Sequence, residues 1–149
     1  MYMHILIPTD GSEVAQRGVD HGLSLAKALG AMVTVITVTE RFPVYPGGIG
    51  FDHGLSDTLT ADYMTGQKKA ADSVLASAKE AAARLGVSAE VLHVSNAQPA
   101  EAIVEAAKAR HCSLIAMASH GRRGLGRLVL GSETAEVLAN SPVPVLVVR

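Results

Sequence analysis

The chain contains no tryptophan, and its aromatic residues are limited to three Tyr and two Phe. With 48% hydrophobic residues and only 3% aromatic ones, its core has to be assembled from Val, Leu, Ile, Ala and Met. Cysteine occurs once, at Cys112, so no intrachain disulfide can form. With no secretory pattern at the start, this usage fits a reducing cytoplasm. The expected role of Cys112 is packing at the start of a strand, because no activating context surrounds it. No apolar run approaches the ~20 residues that span a bilayer, so no membrane partner is expected. A net charge of -1 argues against a general electrostatic partner such as nucleic acid or a membrane surface. Any anion site has to be local.

Several familiar site patterns are also missing. Gly126 and Gly131-Ser132 give the glycine spacing of a Walker loop, but the lysine that would reach the phosphates is absent. Gly124-Leu125-Gly126 runs on to Val129, where a dinucleotide fingerprint needs a third glycine, and it lies far from the first strand-to-helix turn. The six histidines show no metal-binding spacing with one another or with Cys112. No serine has a readable His and acid partner. No catalytic residue is assigned on these grounds.

What is present is alternation. Short apolar runs at 4–8, 32–39, 89–94, 114–118 and 143–148 are separated by segments with helical spacing. Ser12 can cap the first helix, Glu13 suits its positive end, and Gly30 is a natural stop. The second run, MVTVITVT, is β-branched and nearly continuous, as befits a strand covered on both faces. The order β-α-β-α-β-α-β-α-β, within 149 residues, implies one α/β domain over 1–149. The expected architecture is a doubly wound, five-stranded parallel sheet of order 3-2-1-4-5 with helices on both faces. The strand order is taken from fold-level analogy. One segment, 41–57, resists the pattern; its prolines and glycines mark either a lid over a ligand or an inserted loop.

The stretch Met117 to Ser132, MASHGRRGLGRLVLGS, carries the densest chemistry. A strand ends, glycines fall at 121, 124, 126 and 131 among arginines 122, 123 and 127, and a helix begins behind Ser132-Glu133. Glycine lets backbone N–H groups approach an anion, a Ser-capped helix start offers free donors, and arginine forks suit phosphate oxygens. The segment is a candidate phosphate cradle, or else a solvated surface loop. His120 within it could donate to a phosphate, cap the strand end or assist chemistry. Asp10, in Pro8-Thr9-Asp10-Gly11-Ser12, emerges from the same sheet edge. It could bond a ribose hydroxyl, hold hydrated Mg²⁺, or cap the first helix.

The segments ILIPTDGSEVA, SNAQPAEAIVEAAK and LIAMASHGRRGLGRLVLGSETAEVLANSPVPVLVVR resemble the universal stress protein family over essentially the whole chain. The nucleotide-binding branch of that family has a G-x2-G-x9-G-[ST] pattern, which falls here on Ala118, Gly121, Gly131 and Ser132. Three positions fit, and the first glycine is replaced by Ala118. The resemblance implies a stress-response or regulatory protein that binds ATP or AMP with Mg. It places Pro8, Thr9 and Asp10 on the ribose and metal-water side and the Val38 backbone at the adenine. Ala118, Ser119, His120, Gly121, Arg122, Gly131, Ser132 and the Glu133 N–H would surround the phosphates. Two alternatives stand beside this reading: a member that has lost nucleotide binding, and a slow ATP hydrolase. The resemblance also implies a homodimer through the last strand, with Val143, Val145, Leu146, Val147 and Val148 as its contact. An apolar edge strand protected only by Pro144 and Arg149 gives that dimer its physical motive.

Overall fold

Strands form where β-branched residues have a face to bury, and helices form where an apolar stripe recurs between a cap and a stop. A computed structural model describes residues 1–41, 53–120 and 130–149. Its elements are β1 (His4–Pro8), α1 (Glu13–Leu29), β2 (Met32–Thr39), α2 (His53–Leu85), β3 (Ala89–Ser95), α3 (Pro99–Ala109), β4 (Leu114–Ala118), α4 (Ser132–Asn140) and β5 (Val145–Val148). All strand pairings are parallel, and the order is β3-β2-β1-β4-β5. The expected doubly wound sheet is therefore the observed one.

Local chemistry explains the ends of α1. Ser12 accepts a hydrogen bond from Ala15 N at 3.2 Å, and Gly30 closes the helix at φ 65°. At the other end of the chain, β5 begins at Val145 and not at Val143. Pro144 has no N–H to give; its carbonyl accepts from Ile115 N at 3.0 Å, and the ladder starts after it. Val143 is instead held in a turn with the Ser141 hydroxyl. Helix α2 starts at His53, inside the 41–57 segment, while 42–52 lies outside the described residues.

The two sheet faces carry separate aliphatic cores, with no Trp and little Phe or Tyr in either. On one face Val19 and Leu23 of α1 and Leu75 and Ala82 of α2 pack on Ile5, Ile7, Val33, Val35 and Ala116. On the other, Ile103 of α3 and Val137 of α4 pack on Leu6, Ile36, Ile115 and Met117. Burial of each such Ile, Leu or Val contributes about 1.5–3 kcal/mol, far more than the strand propensity of these short runs. Helices α1 and α2 thus share one face and α3 and α4 the other, so the order reverses between β1 and β4. Open α/β sheets form a crevice at such a reversal, outside the carboxyl ends of the strands.

Cys112 lies in the α3–α4 core just before β4, as its packing role required. Burial pushes its thiol up to about 11, although the Arg110 charge pulls the other way. At pH 8 only about one molecule in a thousand carries the thiolate. Native protein should therefore resist iodoacetamide at pH 8 for hours and react within minutes in 6–8 M urea (~7 M). Rapid native labelling, followed by mass spectrometry, would contradict this placement.

Candidate functional site

Three chain segments meet at the carboxyl edge where the order reverses. The first is the turn after β1. Thr9 is buried and donates its N–H to Ile36 O at 2.9 Å, which ties the turn to β2. Asp10 Oδ1 accepts from Ser12 N at 2.9 Å. Asp10 therefore shapes the turn, while Ser12 caps α1, so the capping role considered for Asp10 belongs to its neighbour. Between them Gly11 has φ +79°, and a Cβ there would lie 2.6 Å from Val74 Cγ2. Only glycine meets both conditions.

The second segment is the end of β2. In a parallel ladder, N–H and C=O of one residue point to the same side and alternate along the strand. Ile36 O faces β1, and Thr39 O faces β3, where it accepts from Ala97 N. Val38 accordingly directs its backbone donor and acceptor to the β1 side, two residues past Ile36, the partner of the last β1 residue, Pro8. The position is suited to a planar ring with its own donor and acceptor.

The third segment joins β4 to α4. Ala118 ends β4 in register with Val148 and is 7% exposed. Among the described residues, only Asn96 and His111 are non-glycines with positive φ, so Ala118 occupies ordinary backbone that does not require glycine. A Cβ on Gly18 of α1 would lie 2.8 Å from Ala118 N, so the helix crosses this strand end at close range. Thr134 Oγ1 donates to Ala118 O at 3.0 Å, and Gly131 N donates to Ser119 O at 2.8 Å. Ser119 Oγ and His120 Nδ1 lie 2.9 Å apart. Gly121 and Arg122, with Arg123, Gly124, Gly126 and Arg127, lie outside the described residues.

The start of α4 differs from the Ser-capped helix that the sequence suggested. Gly131 is the N-cap, it makes no side-chain cap bond, and Ser132 is the first helical residue. The reason is steric. A Cβ at 131 would lie 3.0 Å from His120 Cα and 3.1 Å from Ser119 O, so the chain re-enters the sheet edge too tightly for a side chain. No cap side chain occupies the helix end, and the first α4 N–H groups have no intrahelical acceptor.

A cleft of about 860 Å³ opens beside these segments, bounded by the N-termini of α3 and α4. Ser132 and Glu133 line it; Pro8, Thr9, Asp10, Val38, Ala118, Ser119, His120 and Gly131 are not among its lining residues. Its lining also includes Glu40, Glu101, Glu105 and Glu136, with Arg41 as a cation. Sequence reasoning passed over these residues because they are distant in the chain and belong to three different segments, the turn after β2, α3 and α4. It also passed over the β3–α3 turn. There Asn96 adopts φ 56°, and its carbonyl accepts from Arg41 Nε at 3.4 Å. Gln98 caps α3 through Glu101 N and donates its amide to Glu136 of α4. The Gln-Pro pair before α3 was the available signal.

Glu133 keeps part of its surface in solvent, yet its carboxyl is pushed above the ordinary glutamate range. Exclusion of water by the cleft walls is the larger cause; the charges of Asp10, Glu40 and Glu136 add to it. Among the described residues no group of three His, Cys, Asp or Glu is placed to hold a metal ion.

A parallel five-stranded sheet of order β3-β2-β1-β4-β5, with a glycine-capped helix at its reversal point, defines a doubly wound α/β protein. The model of the Universal stress protein family matches residues 1–149, and the chain belongs to that family. It is 36% identical over 149 residues to a universal stress protein of Thermus aquaticus, with full coverage of both chains. To the universal stress protein YxiE of Bacillus subtilis it is 32% identical, again over the full length of both. Among solved structures, UspA from Lactobacillus plantarum superposes with a TM-score of 0.83 at 21% identity, covering 99% of this chain and 98% of that one. A universal stress protein in complex with cAMP matches at 0.69 and 24%, covering 99% and 97%. One from Archaeoglobus fulgidus in complex with dAMP matches at 0.63 and 19%, covering 99% and 98%. At those identities the likeness is one of fold. Among the described residues no helix is long and apolar enough to cross a membrane.

Proposed function

We propose that this chain is an adenine-nucleotide-binding regulatory protein of the stress-response type, acting as a homodimer. The observation that carries the reading is the start of α4. A glycine N-cap without a cap bond sits against Ser119 and His120, and the helix end behind it is a ready anion site. The cAMP and dAMP complexes of two relatives of the same fold support adenine as the base. In this reading ATP or AMP lies across the reversal point with its ring at Val38. Its ribose is at Asp10, and its phosphates are at Gly131, Ser132 and the N–H of Glu133. Mg²⁺ travels with the phosphates and meets Asp10 through water. Gly121 and Arg122 complete the phosphate contacts on the motif's evidence alone.

The replacement of the motif glycine by Ala118 is compatible with this arrangement. Its backbone is unstrained and its methyl is buried, so the side chain adds no bulk to the open cleft. The role is one of binding and signalling, and no residue is assigned to catalysis. Calorimetry of the purified protein with AMP and with Mg-ATP should give saturable heats and a raised melting temperature. No heat and no thermal shift at millimolar nucleotide would reject the reading.

A further inference from the structure

The face of α2 that packs on the sheet changes character along its length. From Ala71 through Leu75 and Ala78 to Ala82 it is apolar and buried in the α1–α2 core. Continuing the same spacing toward the helix start come Gln67, Tyr63 and Thr60, all half-buried. The sheet beneath turns polar as well. Val33 and Val35 lie in that core, and alternation along β2 puts Thr37 and Thr39 on the same face. Their register partners on β3 are His93 and Ser95. Where the two polar surfaces face each other, a cavity of about 490 Å³ remains. His93 Nε2 lies 3.0 Å from Thr39 Oγ1 on the sheet side, and Gln67 Nε2 donates to Tyr63 OH at 2.8 Å on the helix side. Each bond orders one wall, and neither crosses the space. None of the described residues assigned to the nucleotide lines this cavity.

We propose that this cavity is a second ligand site whose chemistry fits a free aromatic α-amino acid. Its volume lies in the ordinary range for small-molecule sites, roughly 300–1,000 Å³. Lys68 of α2 and Glu40 beyond β2 line it with opposite charges, and among the described residues neither forms an ion pair. An anion is matched by Lys68 and opposed by Glu40, and a cation meets the reverse. A zwitterion satisfies both. Tyr63 and Met64 give a ring its packing surface, through offset stacking and a sulfur–aromatic contact. The hydroxyls of Thr39 and Ser95 both donate and accept, so a polar ring substituent finds partners there. The site goes beyond the nucleotide reading and does not depend on it.

The test is calorimetry of the full chain with L-phenylalanine, with 3-phenylpropionate, which lacks the ammonium, and with phenethylamine, which lacks the carboxylate. L-phenylalanine should give a saturable heat at millimolar concentration, and each truncated molecule should bind about fivefold more weakly. Lys68→Gln should weaken L-phenylalanine and 3-phenylpropionate about fivefold while phenethylamine binds no more weakly than before. Glu40→Gln should weaken L-phenylalanine and phenethylamine and spare 3-phenylpropionate. Both side chains are exposed, so neither substitution disturbs a core. No binding of L-phenylalanine, equal binding of all three molecules, or indifference to both substitutions overturns the proposal. Loss of L-phenylalanine binding in saturating AMP would place the amino acid in the nucleotide cleft and overturn it as well. If AMP itself does not bind, the nucleotide reading falls, and the three molecules and two variants still decide this site.

Discussion

Gly131→Val abolishes nucleotide binding while the sheet still forms. The first added carbon would already sit 3.0 Å from His120 Cα and Cβ and 3.1 Å from Ser119 O. A branched side chain cannot be placed there without moving the start of α4 away from the end of β4. That displacement breaks the 2.8 Å bond from Gly131 N to Ser119 O and turns the helix end out of the crevice. Overpacking of this kind costs about 1–3 kcal/mol, which a domain with two intact cores survives. The α1–α2 core on the opposite face contains no residue from this region. Calorimetry should show at least a ~100-fold loss of affinity, and urea denaturation should show a cooperative transition at a lower midpoint. A variant that binds as tightly as the parent would remove the cradle from the site.

Leu146→Lys converts the proposed dimer to monomer. Strand β5 is an edge of the sheet; its ladder to β4 runs from Ile115↔Val145 to Ala118↔Val148, and no strand pairs its other side among the described residues. Edge strands attract further strands, and this one is poorly defended by charge. Leu146 is 39% exposed, and Leu138 of α4 and Leu130 before it are exposed as well. Pairing the two edges about a two-fold axis covers the same groups on each copy. Val145 would be a poorer probe, because it packs on the α3–α4 core and its loss would disturb the monomer. A lysine at 146 brings two like charges into a dry contact, which weakens it by about 3 kcal/mol, or at least roughly 100-fold. Light scattering at micromolar concentration should find the parent at twice the 15.5 kDa chain mass and the variant at 15.5 kDa. A parent that is already monomeric would reject the dimer outright.

The elements themselves were legible because their causes are local. The β-branched run at 32–39, the apolar run at 114–118, the Ser12 cap, the Gly30 stop and Pro99 at a helix start act over a few residues, and the structure places them as read. Where a boundary moved, as at β5, one residue without an N–H decided it. Of the three positions of the last crossover that match the family pattern, Gly131 and Ser132 lie at the start of α4, and Gly121 lies outside the described residues. The cap of α4 was not legible. Serine is ordinarily the better cap, and only the close approach of the chain to Ser119 and His120 shifts that role to Gly131.

By itself, then, the sequence determined the succession of strands and helices, the aliphatic character of both cores and the position of a glycine-rich crossover. These follow from periodicity and side-chain chemistry along the chain. Only the tertiary structure decided that Asp10, Glu40, Glu136 and Glu133 share one electrostatic environment, and that the Val38 backbone faces past the end of β1. It alone put β5 at the edge of the sheet and the buried Ala118 in unstrained backbone. Electrostatic and steric effects depend on distance in space, and parallel crossovers bring together residues separated by as much as the length of the chain.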